Sequence, residues 1–218
     1  QECLDEGCGF SNNPFKTLAR TFEMINVTES NPITIHLAAG TYSPESGESF
    51  PINMLSNMNI QGEDEETTIL DAMQSSRVIT MDNCDNNTIS GITITGGLVD
   101  YHGGGMYIEN SNPTLTNVII SNNTTVFHGG GMYLYDSNPI LTHVSITNNT
   151  AINYGGGIFL HYSSPTLTNV TITYNSANFN AGGIFLWSSN SVLNNVTISN
   201  NTAGFDGGGM FLNASNPT

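Results

Sequence analysis

A Gly-Gly-Gly-Met tetrapeptide at residues 103–106 returns at 129–132, then as Gly155-Gly156-Gly157-Ile158, Ala181-Gly182-Gly183-Ile184 and Gly207-Gly208-Gly209-Met210, always 26 residues further on. A gapless step of this length marks one structural unit stacked on copies of itself. The unit is too short for two helices, which helical solenoid repeats of about 33 residues or more require. It also lacks the L-x-x-L-x-L-x-x-N pattern of a leucine-rich repeat.

Within residues 103–128, three short apolar patches (Met106 and Ile108, Leu115, Val118 and Ile120) stand between Asn, Ser, Pro and Gly. Alternation over a few residues between turn formers predicts three short strands and three bends per coil. Five columns, headed by Met106, Ile108, Leu115, Val118 and Ile120, hold only aliphatic residues or Met in every copy. Side chains two apart on a strand share a face, so these columns point inward. Strands of successive copies then pair in parallel, about 4.8 Å apart, and build an all-β parallel β-helix. The pattern extends backwards through Val78–Ile94 and, less regularly, through Met58–Leu70. Phe15, Leu18, Phe22 and Ile25 form a helical stripe, which predicts a short amphipathic helix closing the first coil. One continuous domain is expected. It comprises an acidic leader, capping helix and first strand over residues 1–50, irregular coils over 51–102 and regular repeats over 103–218. Thr218 stands twelve residues into a repeat, so the last coil is expected to lack a cap and to be covered by a neighbour or by more chain.

Asn13-Pro14-Phe15-Lys16-Thr17-Leu18, followed by Ile33-Thr34-Ile35-His36-Leu37-Ala38-Ala39-Gly40-Thr41-Tyr42 and later by Ile60-Gln61-Gly62 and Thr68-Ile69-Leu70-Asp71, resembles the opening of pectate-lyase-like right-handed β-helix proteins. Asn148-Asn149-Thr150-Ala151 leading into Gly155-Gly156-Gly157-Ile158 is similar to repeats of chlamydial-type polymorphic outer-membrane proteins. The resemblance implies a right-handed coil. That fold hosts lyases, hydrolases, adhesins, autotransporter passengers and inert scaffolds alike. Lyases of this kind use an Arg or Lys base beside calcium-binding carboxylates, and hydrolases use clustered acids. Arg77, Asp82, Asp85 and Asp100 are the nearest counterparts here, and calcium is the one cofactor the resemblance brings.

The chain has 218 residues and a net charge of −15, with twelve of its eighteen acids in residues 1–71. Its strong bases are Lys16, Arg20 and Arg77, which disfavours nucleic acid, anionic membranes and, unless calcium bridges it, anionic polysaccharide. No apolar run approaches the ~20 residues that a spanning helix needs. Gln1 reads as a processed or trimmed start, and the neutral Thr/Asn/Ser surface suits a secreted or cell-surface protein. Cys3 and Cys8 are the candidate disulfide, leaving Cys84 buried or free.

The Gly-Gly-Gly runs precede strands rather than helices, so they read as tight corners and not as phosphate cradles. The Asn column Asn123, Asn149, Asn175, Asn201 and the Ser column Ser111, Ser137, Ser163, Ser189, Ser215 read as stacked bend residues. Tyr107, Tyr133, Phe159, Phe185 and Phe211 alternate with the inward columns, and two residues on stand Glu109, Tyr135, His161, Trp187 and Asn213. An exposed aromatic stripe is therefore expected, suited to a neutral glycan, to another surface protein or to a second copy. Its binding residues would be Tyr107, Tyr133, Tyr135, Phe159, His161, Phe185, Trp187 and Phe211. Rows such as Thr171 with Thr173 and Thr197 with Ser199 resemble the flat faces of β-helical ice-binding proteins. His102 and His128 occupy equivalent positions one coil apart, a candidate metal pair without an evident third ligand. Nine Asn-x-Ser/Thr sequons, among them those of Asn26, Asn148, Asn169 and Asn213, matter only in a host that glycosylates. The expected role is a non-catalytic extracellular or surface scaffold (adhesin, filament or matrix component), with a polysaccharide lyase or hydrolase and an ice-binding protein as alternatives.

Overall fold

The computed structural model describes Gly9 and residues 13–218. The candidate disulfide of Cys3 and Cys8 lies outside the described residues, and Cys84 is free and buried. The described residues form a right-handed parallel β-helix with three sheets of seven, eleven and five strands. In the seven-stranded sheet Ile79 pairs with Met106, Met106 with Met132, and Met132 with Ile158. Like thus lies on like at every coil. The long sheet repeats the pattern, with Leu115 beside both Ile89 and Leu141.

The three strands of a coil are divided differently from the sequence expectation. Two of the apolar patches share one long strand, Thr114–Ser121, bent where Asn117 adopts φ 52°. The third strand is the short Thr124–Thr125, which pairs with Leu98–Val99 before it and Thr150–Ala151 after it. It carries no apolar alternation, so the sequence marks it only as part of a bend. The five inward columns are sealed where they begin, Met106, Ile108, Leu115, Val118 and Ile120 each being 0–1% exposed, and open only in the last coil, where Leu212 is 46% exposed.

The corners explain the invariant spacing. Gly103, Gly129, Gly155 and Gly207 hold φ between 65° and 70°, and Ala181 holds 61° in the same column. The second corner position is closed by the neighbouring coil, because a Cβ on Gly130 would sit 2.5 Å from the carbonyl oxygens of both Thr150 and Gly156. At the opposite bend, Asn149 Nδ2 donates to Ile120 O (2.9 Å) and to Asn175 Oδ1 (3.0 Å). Its Oδ1 accepts from the backbone and side-chain N–H of Asn123, each at 3.0 Å. The left-handed residue of that bend is the preceding one, Asn122, Asn148, Tyr174 or Asn200, and not the ladder Asn itself. The Ser column does the same at the third bend, where the N–H groups of Ser111, Ser137 and Ser163 each donate to the hydroxyl one coil on, at 3.0 Å.

The predicted N-terminal helix spans Leu18–Met24, with Thr17 as N-cap. Glu48 reaches its first turn, accepting from the N–H of Leu18 (2.6 Å) and Ala19 (3.2 Å). That carboxylate faces the positive end of the helix, whose own first turn has no acid. Leu18 is buried, and Phe22 and Ile25 pack on the core that includes Ile35 and Leu37. The hydroxyl rows stand on the long sheet, broken by Ile119, which pairs with Thr93 and Ser145, and by Ser121, which is buried.

Candidate functional site

The strand Met106–Glu109 and its copies face the core with one set of side chains and turn Tyr107, Tyr133, Phe159, Phe185 and Phe211 away from it. In-register pairing stacks these rings at centroid distances of 5.5, 5.4, 4.9 and 5.0 Å in turn. They do not form the exposed stripe that alternation predicts: Tyr133 is 6%, Phe159 2% and Phe185 4% exposed. The residues just ahead of each glycine corner fold over them. His102 stacks on Tyr133 at 4.3 Å, His128 on Phe159 at 4.6 Å, and Tyr154 tilts against Phe185 at 5.1 Å. Ala181, fully buried, completes this second apolar cluster. The positive-φ corner turns the chain sharply enough for a side chain of one coil to cover the ring of the next.

His102 and His128 do lie one coil apart, their rings stacked at 5.0 Å. Among the described residues no group of three His, Cys, Asp or Glu side chains could hold a metal ion. Both Nδ1 atoms are buried without a hydrogen-bond partner among the described residues. Burial, then the neighbouring His102 and His161, pushes His128 from its ordinary 6.5 down to about 4. His102 is lowered by burial, then by Arg77 and His161. Burial also pushes Tyr133 up to about 12. The stack is therefore an uncharged layer at neutral pH.

A pH dependence follows. Between about 4 and 6.5 the unfolded chain holds a proton on His128 that the folded chain lacks. The associated stability is complete above 6.5 and is lost as pH falls towards 4. Allowing for the ring's partial exposure, His128→Phe should reduce the loss of urea stability between pH 7 and pH 4.5 by about 2 kcal/mol. An unchanged pH dependence in that variant would remove His128 from the account.

Beyond this covered layer, four rings form an open edge. Tyr135 meets His161 edge-on at 5.0 Å, His161 stacks on Tyr162 at 4.5 Å and tilts against Trp187 at 5.4 Å. Trp187 is 40% and Tyr162 54% exposed. Tyr162 holds a left-handed backbone, φ 51°, directly after the strand Ile158–His161. The structure thus brings together Tyr135, His161 and Trp187 of the expected stripe, adds Tyr162, places Tyr133, Phe159 and Phe185 beneath other side chains and leaves Tyr107 and Phe211 half-covered.

The family model described as a protein of unknown function, DUF1565, matches residues 4–215. The chain belongs to the DUF1565 family. No curated protein matches it. A pectin methylesterase in complex with hexasaccharide VII is 10% identical, with a TM-score of 0.50, the alignment covering 97% of this chain and 81% of that one. Pectin methylesterase PemA from Erwinia chrysanthemi is also 10% identical, with a TM-score of 0.46 and coverage of 97% and 88%. At this identity the likeness concerns the β-helix fold.

The residues of the enzymatic expectation stand in this DUF1565 chain as follows. Arg77 Nε donates to Gly103 O (2.9 Å), Nη2 to His102 O (2.7 Å) and Nη1 to Thr80 Oγ1 (3.3 Å). Its guanidinium carbon lies 4.8 Å from the centre of the Tyr107 ring, so Arg77 closes one end of the aromatic stack. Tyr107 in turn donates to Glu109 Oε2 at 2.6 Å. Asp82, Asp85 and Asp100 are exposed. Among the described residues the one ion pair joins Arg20 to Glu23, so Arg77 is not paired with any of the three. A cleft beside the helix, lined by residues such as Lys16, Leu18, His36 and Tyr42, contains none of the candidates.

A further aromatic column escapes the strand-based reading. Tyr101 and Phe127 stack at 6.0 Å and Phe179 and Phe205 at 5.4 Å, on the corner loops two residues before each Gly103-type position. The 26-residue spacing carries the signal, because the column reads Tyr101, Phe127, Asn153, Phe179, Phe205.

Proposed function

We propose that this DUF1565 chain is a non-catalytic β-helix scaffold, working outside the cell or at its surface, that holds a neutral glycan on the edge formed by Tyr135, His161, Tyr162 and Trp187. The observation that carries this reading is the contiguity of the four rings across three successive coils while the column beside them is covered. Apolar sugar faces stack on such rings. From residue 103 onward the chain has three acids and no Lys or Arg, which favours an uncharged ligand. Among the described residues no helix is long and apolar enough to cross a membrane.

Affinity electrophoresis of the whole chain through gels containing neutral β-linked polysaccharides tests the reading. Retardation is expected, and Trp187→Ala should weaken it about tenfold or more, the size expected for an aromatic anchor. Mobility unchanged by every neutral polysaccharide, or retardation that Trp187→Ala leaves intact, would contradict it.

A further inference from the structure

The corner column is a ladder with one rung missing. Its backbone is continuous: the N–H of Phe127 donates to Tyr101 O (3.1 Å), that of Asn153 to Phe127 O (3.0 Å), that of Phe179 to Asn153 O (3.1 Å) and that of Phe205 to Phe179 O (2.9 Å). Rings fill the rungs on either side, Tyr101 on Phe127 with 9° between planes and Phe179 on Phe205 with 17°. Each pair stacks along the coil axis, which leaves Phe127 and Phe179 on the two sides of the Asn153 rung, with the Tyr154 ring edge-on to Phe179 at 5.8 Å. Among the described residues no ring contact joins Phe127 to Phe179. Two coil steps separate them, about 9.6 Å of backbone spacing. A ring placed midway would lie about 4.8 Å from each face, within the distance at which rings stack.

Asn153 forms the floor of this gap. It is half-buried, and its side-chain amide makes no hydrogen bond among the described residues. Phe127 and Phe179 are 40% and 41% exposed, so both walls are accessible. The gap therefore offers two apolar faces, one amide with free donors and a free acceptor, and no charged wall. A pyranose ring matches this set, since its C–H faces stack and its rim carries hydroxyls for the amide.

We infer that the slot between Phe127 and Phe179, floored by Asn153, is a second binding site that takes a single sugar ring of a neutral glycan as the missing rung. The inference rests on the neutral-glycan reading above but uses none of the same residues.

The test is isothermal titration of the full chain, as wild type, Asn153→Phe, Phe179→Leu and Trp187→Ala, with methyl β-glucoside, neutral β-1,4-linked glucose and mannose tetramers, and p-cresol as a flat aromatic probe. Asn153→Phe supplies the rung from the protein itself, so it should keep or raise the melting temperature while sugar binding at this slot falls at least tenfold. Phe179→Leu should weaken the same binding without filling the gap, and it decides the matter if Asn153→Phe does not fold. Wild type should also show a shift of the Asn153 side-chain amide resonances on sugar addition. Binding that Asn153→Phe and Phe179→Leu leave unchanged while Trp187→Ala removes it would overturn the slot and retain the open edge. The reverse pattern would retain the slot and overturn the edge. Binding of p-cresol alone would overturn the sugar assignment, and no binding of any probe at millimolar concentration would overturn the site.

Discussion

Asn149→Leu should lower the stability of the solenoid by about 4 kcal/mol in urea denaturation. The side chain is wholly buried. Replacing it withdraws the acceptor used by the backbone and side-chain N–H of Asn123 and the donor used by Ile120 O and Asn175 Oδ1. Asn123 Nδ2 keeps Ile94 O and Asn175 Oδ1 keeps the N–H of Asn149, so the loss falls chiefly on the N–H of Asn123 and on Ile120 O, each costing about 1–3 kcal/mol when buried without a partner, and leucine, with as many side-chain heavy atoms, offers them nothing in return. Because each coil contacts only its neighbours, the loss falls on the two junctions that Asn149 makes, with the coils of Asn123 and Asn175. Amide exchange should accelerate around residues 120–176 before it does elsewhere. The same change at Asn201, which is only partly buried, should cost less, because water can reach the abandoned groups. A loss below about 1 kcal/mol at Asn149 would mean that the ladder is not a principal brace of the bend.

Phe159→Ala should cost about 3–4 kcal/mol, although the residue lies outside the coil's main core. Its ring is 2% exposed and stacks on Tyr133, Phe185 and His128. Removing it opens a cavity between two coils and exposes one face of the His128 ring. His128 should then titrate above about 4 and move back towards 6.5. Phe211, only half-covered, should show a smaller loss of stability under the same substitution. A cost at Phe159 near that of an exposed residue, within about 0.5 kcal/mol, would show that the outer aromatic layer is not a second core.

The coil itself was legible because two periods coincide. Alternation told which residues of a strand face inward, and the 26-residue step put Met106 on Met132 and Leu115 on Leu141. Alternation also placed the Tyr107 column correctly on the far side of the strand. It could not say what lies above that column. The cover comes from the previous coil, His102 over Tyr133 and His128 over Phe159, and is aimed by a backbone corner rather than by a strand. The strand Thr124–Thr125 was hidden for a related reason, since it pairs through backbone groups and has no apolar pattern to display. Tyr101, Phe127, Phe179 and Phe205 stand on loops, where strand alternation carries no information and only a column-by-column reading of the repeat shows them. The Asn and Ser columns were readable as bend residues, but the left-handed position fell on the residue before the ladder Asn.

Trp187 is the chain's one tryptophan, so its emission reports on the open aromatic edge and on no other part of the protein. Titrating the intact chain with a neutral glycan while following that emission tests the proposed function most directly. A saturable change in intensity and wavelength, reduced about tenfold in apparent affinity by His161→Ala, is the result the binding reading predicts. Emission that stays constant across neutral glycans bound by the protein, or across every neutral glycan offered, would contradict it.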